Sequence, residues 1–213
     1  MIKYYTQTTI VRVTFLVMIL AACMNANAQN RMPPIPADKL TDEQKKAVAD
    51  FIAARGEPTG PWIALLRSPE VMTRARGLSD YLRFKSVLPP KLSEFVILMT
   101  ARQWTQNYEW NAHYKLALDG GLKPDIAKAI AEGRRPEHMT EDEEILYDFC
   151  MELQQNRSVS DATYARAVSK FKEQGVIDTV SLMGYYTLIS MVLNTARAPL
   201  PAGVAPALAP FPR

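Results

Sequence analysis

Beyond its first 28 residues, the chain places apolar residues three and four positions apart through one segment after another, the period of a helix with one buried face. In "KLSEFVILMTARQWTQ" the apolar positions 92, 95, 96 and 99 keep this period. Its centre also fits a buried strand, and the length and polar ends of the segment decide for helix. "NYEWNAHYKLALDGG" continues with Trp110, Leu116 and Leu118 and stops at Gly120 and Gly121. Thr41 caps a helix that ends at Gly56, the turn "EPTGPW" delivers Trp62, and Ser68 with Pro69 opens another helix. Pro124 starts a short one, and Thr140 with Glu143 has capping-box spacing. Ser160 caps a helix that Gly175 is expected to close. The almost wholly apolar run from Val180 to Leu193 then predicts a buried helix. No alternating strand pattern is present, so the prediction is an all-α single domain over residues 41–197. Proline-rich arms flank it at residues 29–40 and 198–213, and the second is expected to lie over the surface or over a neighbouring subunit.

Residues 1–28 follow a different logic. Lys3 and Arg12 precede the apolar run Val13 to Ala22, and Ala26 with Ala28 forms a small-residue cleavage site, the order of an export signal. The run is shorter than the roughly 20 residues of a spanning helix. "LAAC", Leu20 to Cys23, also resembles a lipoprotein box, so release after Ala28 and a lipid anchor at Cys23 are both open. Either route puts the domain outside the cytoplasm, in the periplasm, in the medium or on the outer membrane.

Processing after Ala28 removes two positive charges, taking the formal net charge from +3 to +1. Without a Lys/Arg stripe nothing favours nucleic acid as a partner. Cys150 is then the only thiol inside the domain, which excludes an internal disulfide and a C-x-x-C pair. Among the apolar residues of "EILYDFCMELQQ" it is expected to pack as a small hydrophobe.

Three residues stand out as proton carriers. Glu109 and His113 are four apart and share one helical face. That spacing fits a surface charge pair, or a carboxylate orienting an imidazole that moves protons. The crowding by Trp104, Tyr108, Trp110 and Tyr114 favours an enclosed site. Glu94 falls in the first turn expected for its helix. There the dipole alone would favour a carboxylate, whereas the neighbouring "FVILM" argues for burial and a raised pKa. Arg102 lies near the same face as Glu94, and reads either as a bidentate contact for a substrate carboxylate or as a helix-end arginine. His138 sits in a polar loop and reads as a solvated residue. The zinc motif H-E-x-x-H, glycine-rich phosphate loops, the nicotinamide fingerprint and the G-x-S-x-G elbow do not occur, so no bound cofactor or metal is expected.

These residues sit in a pattern, about residues 58 to 195, that resembles the carboxymuconolactone decarboxylase family, which includes the alkylhydroperoxidase D (AhpD) type proteins. The resemblance is densest in "GPWIALLRSPEVM", "YLRFKSVLPPKLSEFVILMTARQWTQNYEWNAH" and "GYYTLISMVLN". Redox members carry a glutamate twelve residues before a C-x-x-C-x-x-x-H motif. Matching its histidine to His113 puts the cysteine positions at Gln106 and Glu109 and the glutamate at Glu94. Both sulfurs are lost and both proton-handling ends kept, which makes dithiol peroxidase activity implausible.

The resemblance therefore implies the decarboxylase branch: a cofactor-free lyase or isomerase acting on a small cyclic carboxylate or lactone. In that reading His113 is the principal acid/base group, Glu109 orients it and Glu94 relays protons. Arg102 contacts the substrate carboxylate, and Trp62, Trp104 and Tyr186 enclose the apolar part of the ring. A homo-trimer or homo-hexamer is implied by the family's habit of assembly. The rival reading is a ligand-binding or structural homologue without turnover.

Overall fold

A computed structural model describes residues 30–210, and the expected export signal and the candidate lipid anchor Cys23 lie outside the described residues. The described residues form helices and connecting segments without a β-strand. In chain order the helices are α1 (Asp42–Arg55), α2 (Pro61–Leu65), α3 (Pro69–Phe84) and α4 (Pro90–Gln103). They continue as α5 (Asn107–Asp119), α6 (Pro124–Ala131), α7 (Glu141–Asn156) and α8 (Asp161–Ala196).

The starts follow the local chemistry. Thr41 and Thr140 each close a capping box, accepting a hydrogen bond from the backbone N–H of Gln44 and of Glu143. Proline occupies the first turn of α2, α3, α4 and α6, where its missing N–H costs nothing.

Helix α4 is the axis of the fold. Every residue from Leu92 to Arg102 is buried, because α3, α5, α6, α7 and α8 all pack on it. Phe95, Val96, Ile97 and Leu98 are fully inaccessible, as expected for a helix that is apolar on all sides. The second half of α8 supplies the facing wall through Leu182, Tyr186, Ile189 and Leu193. By length and composition α8 could cross a membrane, but here it is a core helix.

Gly175 does not close a helix as the sequence suggested. The break in α8 falls three residues earlier, at Lys172, whose φ of 62° and ψ of 172° are non-helical. Gly175 is buried in the following turn. A Cβ there would lie 2.6 Å from the Cβ of Phe171, so it is a close-approach glycine.

Both proline-rich arms pack on their own chain over the described residues. Arg31 N donates to Ala196 O (2.7 Å), and Arg67 donates to Pro33 O (2.7 Å). In the tail, Leu208 is buried. Its N–H donates to Asn107 Oδ1 (2.8 Å) and its carbonyl accepts from Asn107 Nδ2 (3.4 Å).

Candidate active site

The site is built on the α4–α5 hairpin. The chain reverses at residues 104–106, with Thr105 in the left-handed region (φ 46°). Gln106 then caps α5 by accepting from Tyr108 N (2.7 Å). Its amide donates to Asn194 Oδ1 (2.7 Å), tying the hairpin to α8. The position that the resemblance aligned with a cysteine is thus a structural glutamine here. The reversal folds α5 back along α4 and brings residues 19 apart in sequence into contact.

His113 Nδ1 and Glu94 Oε2 are 2.6 Å apart, a short charge-assisted contact between two buried side chains. On the other ring nitrogen, Nε2 lies 3.6 Å from Glu109 Oε2. That distance is within electrostatic reach and beyond a hydrogen bond. The ring of Tyr186 meets the imidazole edge-on at 4.9 Å between centroids, and Tyr185 meets Tyr186 likewise at 5.1 Å. Glu94 stands in the second turn of α4, which begins at Pro90, so the helix-start explanation falls away for it. Glu109 occupies the first turn of α5.

His113 and Glu109 open onto a cavity of about 210 Å³ whose wall also includes Trp62, Arg83, Tyr108 and Tyr186. This is below the roughly 300–1,000 Å³ of drug-sized sites and suits a ligand of about one ring. Gly60, with φ at 55°, lets Tyr108 close the rim: a Cβ there would fall 2.5 Å from the tyrosine ring. Arg55 also lines the cavity, paired with Asp80 and donating to Ser79 Oγ (3.2 Å).

Burial raises the pKa of the Glu109 carboxyl. Proximity to His113 and Arg83 opposes the rise, and proximity to Glu94 adds to it. Burial likewise pushes Tyr185 up to about 12 and Tyr186 well above the ordinary phenol value, so both stay neutral. The two carboxylates face opposite nitrogens of one imidazole, so they cannot converge with it on a single ion. Among the described residues no group of three or more His, Cys, Asp or Glu is arranged to hold a metal.

The raised acid has a consequence for stability. A carboxyl whose pKa is higher in the fold than its ordinary 4.5 adds no penalty below that value. It lowers stability as pH climbs from there through the folded pKa. Glu109→Gln should therefore gain thermal stability over the unmodified protein progressively as pH rises above about 4.5. A Tm difference that stays flat above that pH would contradict the raised pKa.

Of the residues singled out from sequence, His113, Glu109, Trp62 and Tyr186 line the cavity and Glu94 backs His113. Arg102 and Trp104 are not brought to it. Arg102 is buried on another side of α4 and donates from Nη1 to Ala209 O (2.6 Å), holding the tail. Trp104 is partly exposed at the hairpin reversal and donates to Thr187 Oγ1 (3.2 Å). Neither side chain lines this cavity, because one lies on another face of α4 and the other at the reversal.

Sequence reasoning did not single out Arg83 and Tyr185. Arg83 lies in the last turn of α3, where an arginine ordinarily serves the helix dipole, so its type and position gave no sign of an inward role. His138 is exposed, as expected. Cys150 is fully buried and burial raises its thiol pKa, leaving it inert.

No protein-family profile matches the sequence, and no curated protein matches it. Solved structures do. A peroxidase-related protein of uncharacterized function from Silicibacter sp. TM1040 superposes with a TM-score of 0.65 at 15% identity, covering 82% of this chain and 93% of that one. An AhpD-core peroxidase-related protein from Ralstonia eutropha JMP134 gives 0.63 at 17%, covering 78% and 88%. A variant of the debrominase Bmp8, in complex with 2,3,4-tribromopyrrole, gives 0.62 at 10%, covering 80% and 91%. The chain has the all-α AhpD-like fold, and among its described residues it lacks a C-x-x-C pair.

Proposed function

We propose that the protein catalyses proton-transfer chemistry on a small cyclic carboxylate or lactone without a bound cofactor, as a carbon–carbon lyase or isomerase. The reading rests on one observation above all: a buried imidazole held at Nδ1 by Glu94 faces, through Nε2, a buried carboxyl whose pKa is raised, at the wall of a one-ring cavity. An ionised Glu94 accepts the Nδ1–H and leaves the Nε2 lone pair as base. Glu109, whose pKa burial raises, is the acid. The orienting and acid roles implied for Glu109 and Glu94 by resemblance are thereby exchanged.

In an isomerisation, Nε2 removes a proton beside the ring carbonyl and the C–H electron pair passes to the carbonyl oxygen as an enolate. Glu109 delivers its proton at the new carbon site as the enolate collapses, and the proton held on His113 Nε2 then passes to the Glu109 carboxylate 3.6 Å away, restoring both groups. In a decarboxylation, the electron pair of the breaking C–C bond enters the same conjugated carbonyl as CO₂ leaves. Glu109 protonates the carbanion equivalent and is reprotonated from water. Tyr186, Trp62 and Tyr108 exclude water from the ring. The debrominase of the same fold, solved with a five-membered ring bound, supports a ligand of that size.

The test is incubation of metal-free protein with 4-carboxymuconolactone and with simpler ring lactone acids, following enol-lactone, CO₂ and isomer formation. Product from the folded enzyme supports the proposal. No product from any of these lactones would leave a binding function in its place.

We extend the proposal to assembly and location. The outward face of α8 carries Ile177, Val180, Leu188 and Met191 exposed, and the one charge in that stretch, Asp178, is buried, an apolar stripe suited to a second copy of this chain. Ile177→Asp with Met191→Asp should lower the mass seen by light scattering, and an unchanged mass would reject that interface. Export rests on the pattern of residues 1–28. An intact mass that begins at Gln29 or carries lipid on Cys23 would support it, and a chain retaining residues 1–28 would not.

A further inference from the structure

Three arginines lie around α4 and the cavity, and they are not equivalent. Arg55 is bonded to Asp80 and Ser79. Arg102 is bonded to the tail. Arg83 lines the cavity with its Nε buried and without a hydrogen-bond partner, and its ionic neighbour is Glu94 Oε1 at 3.9 Å. Its guanidinium stacks near the exposed ring of Phe84 (5.1 Å to the centroid). The side chain is about three-quarters buried, with 23% accessible. A guanidinium taken this far from water normally has its donors satisfied, since leaving them unmet costs stability.

From this geometry we infer that Arg83 is the receptor for a carboxylate on the bound ring. The inference rests on the small-ring reading of the cavity and names the substrate's anionic group. Arg83 stands on α3 and His113 on α5, with the cavity between their elements. A ring anchored by its carboxylate at Arg83 thus presents its other atoms toward Nε2 and Glu109. The fork of an arginine suits the planar, two-oxygen geometry of a carboxylate. The neighbouring Glu94 carboxylate selects for a single charge, because Arg55, the other cation on the wall, is already paired with Asp80 and a dianion such as phosphate would meet the repulsion of Glu94.

Calorimetry with 2-furoate and its methyl ester, in metal-free buffer, tests this without requiring turnover. The unmodified protein should bind furoate at least about tenfold more tightly than the ester, the scale of a charge-assisted contact. Arg83→Gln should weaken furoate about tenfold or more and leave the ester unchanged. Arg83→Lys should recover part of the loss, and Arg102→Gln should have no effect on affinity. Circular dichroism of each variant identifies any that fails to fold, and Arg83→Lys keeps the test decisive if the glutamine variant does. Equal furoate affinity in folded Arg83→Gln, equal affinity for acid and ester, no furoate binding to the unmodified protein, or displacement of furoate by inorganic phosphate would each overturn the assignment. Absence of catalysis alongside Arg83-dependent binding would count against the proton-transfer proposal alone.

Discussion

Replacing His113 with glutamine should lower turnover by roughly 100- to 10,000-fold, the span attributed to a positioned acid or base, while the far-ultraviolet circular dichroism stays that of the unmodified protein. Glutamine can still present an N–H toward Glu94, so the buried carboxylate keeps a donor in place of the imidazole Nδ1. What it lacks is a second nitrogen that can take up and release a proton toward Glu109. The loss should therefore appear in kcat, with KM nearly unchanged, because Arg83 and the aromatic walls are untouched. Equal rates in the variant and the parent would remove His113 from the chemistry. A KM effect alone would make it a binding residue.

The largest effect on stability is expected at Phe95, next to Glu94 on α4. The side chain is fully inaccessible, on the helix that α3, α5, α6, α7 and α8 all pack against. Phe95→Ala should cost about 3–5 kcal/mol, from lost burial and from a cavity that five surrounding helices cannot easily collapse. Urea unfolding should show a lower midpoint with the slope retained. The exposed apolar residue Ile52 provides the contrast, since its replacement by alanine should stay within about 0.5 kcal/mol. A Phe95→Ala loss under about 1 kcal/mol would mean that α4 is not the axis of the core.

Most helix limits were legible because caps, prolines and apolar period agree at the same positions. Thr41, Pro69, Pro124 and Thr140 each announce a start that the structure shows. The break at Lys172 was not legible, since no glycine or proline marks it, and the nearby Gly175 drew the boundary toward itself. The Glu109–His113 pair could be read from i,i+4 spacing alone. The closer Glu94–His113 contact depends on a chain reversal at residues 104–106, so helical periodicity could not reveal it. Only the twelve-residue offset in the family resemblance pointed there. Arg83 and Arg102 show the same limit from two sides. Each is an arginine in the last turn of its helix, and which one reaches the cavity is decided by how α3 and the tail pack around α4.

The most direct measurement is proton NMR of a ring lactone acid incubated with the protein in D₂O and a metal chelator, following hydrogens on carbon beside the lactone carbonyl. The proposed chemistry predicts wash-in of deuterium at that carbon with the unmodified protein and none above background with His113→Gln. Equal exchange in both proteins, or none from an acid that calorimetry shows to be bound, would contradict proton transfer by the buried Glu94–His113–Glu109 group.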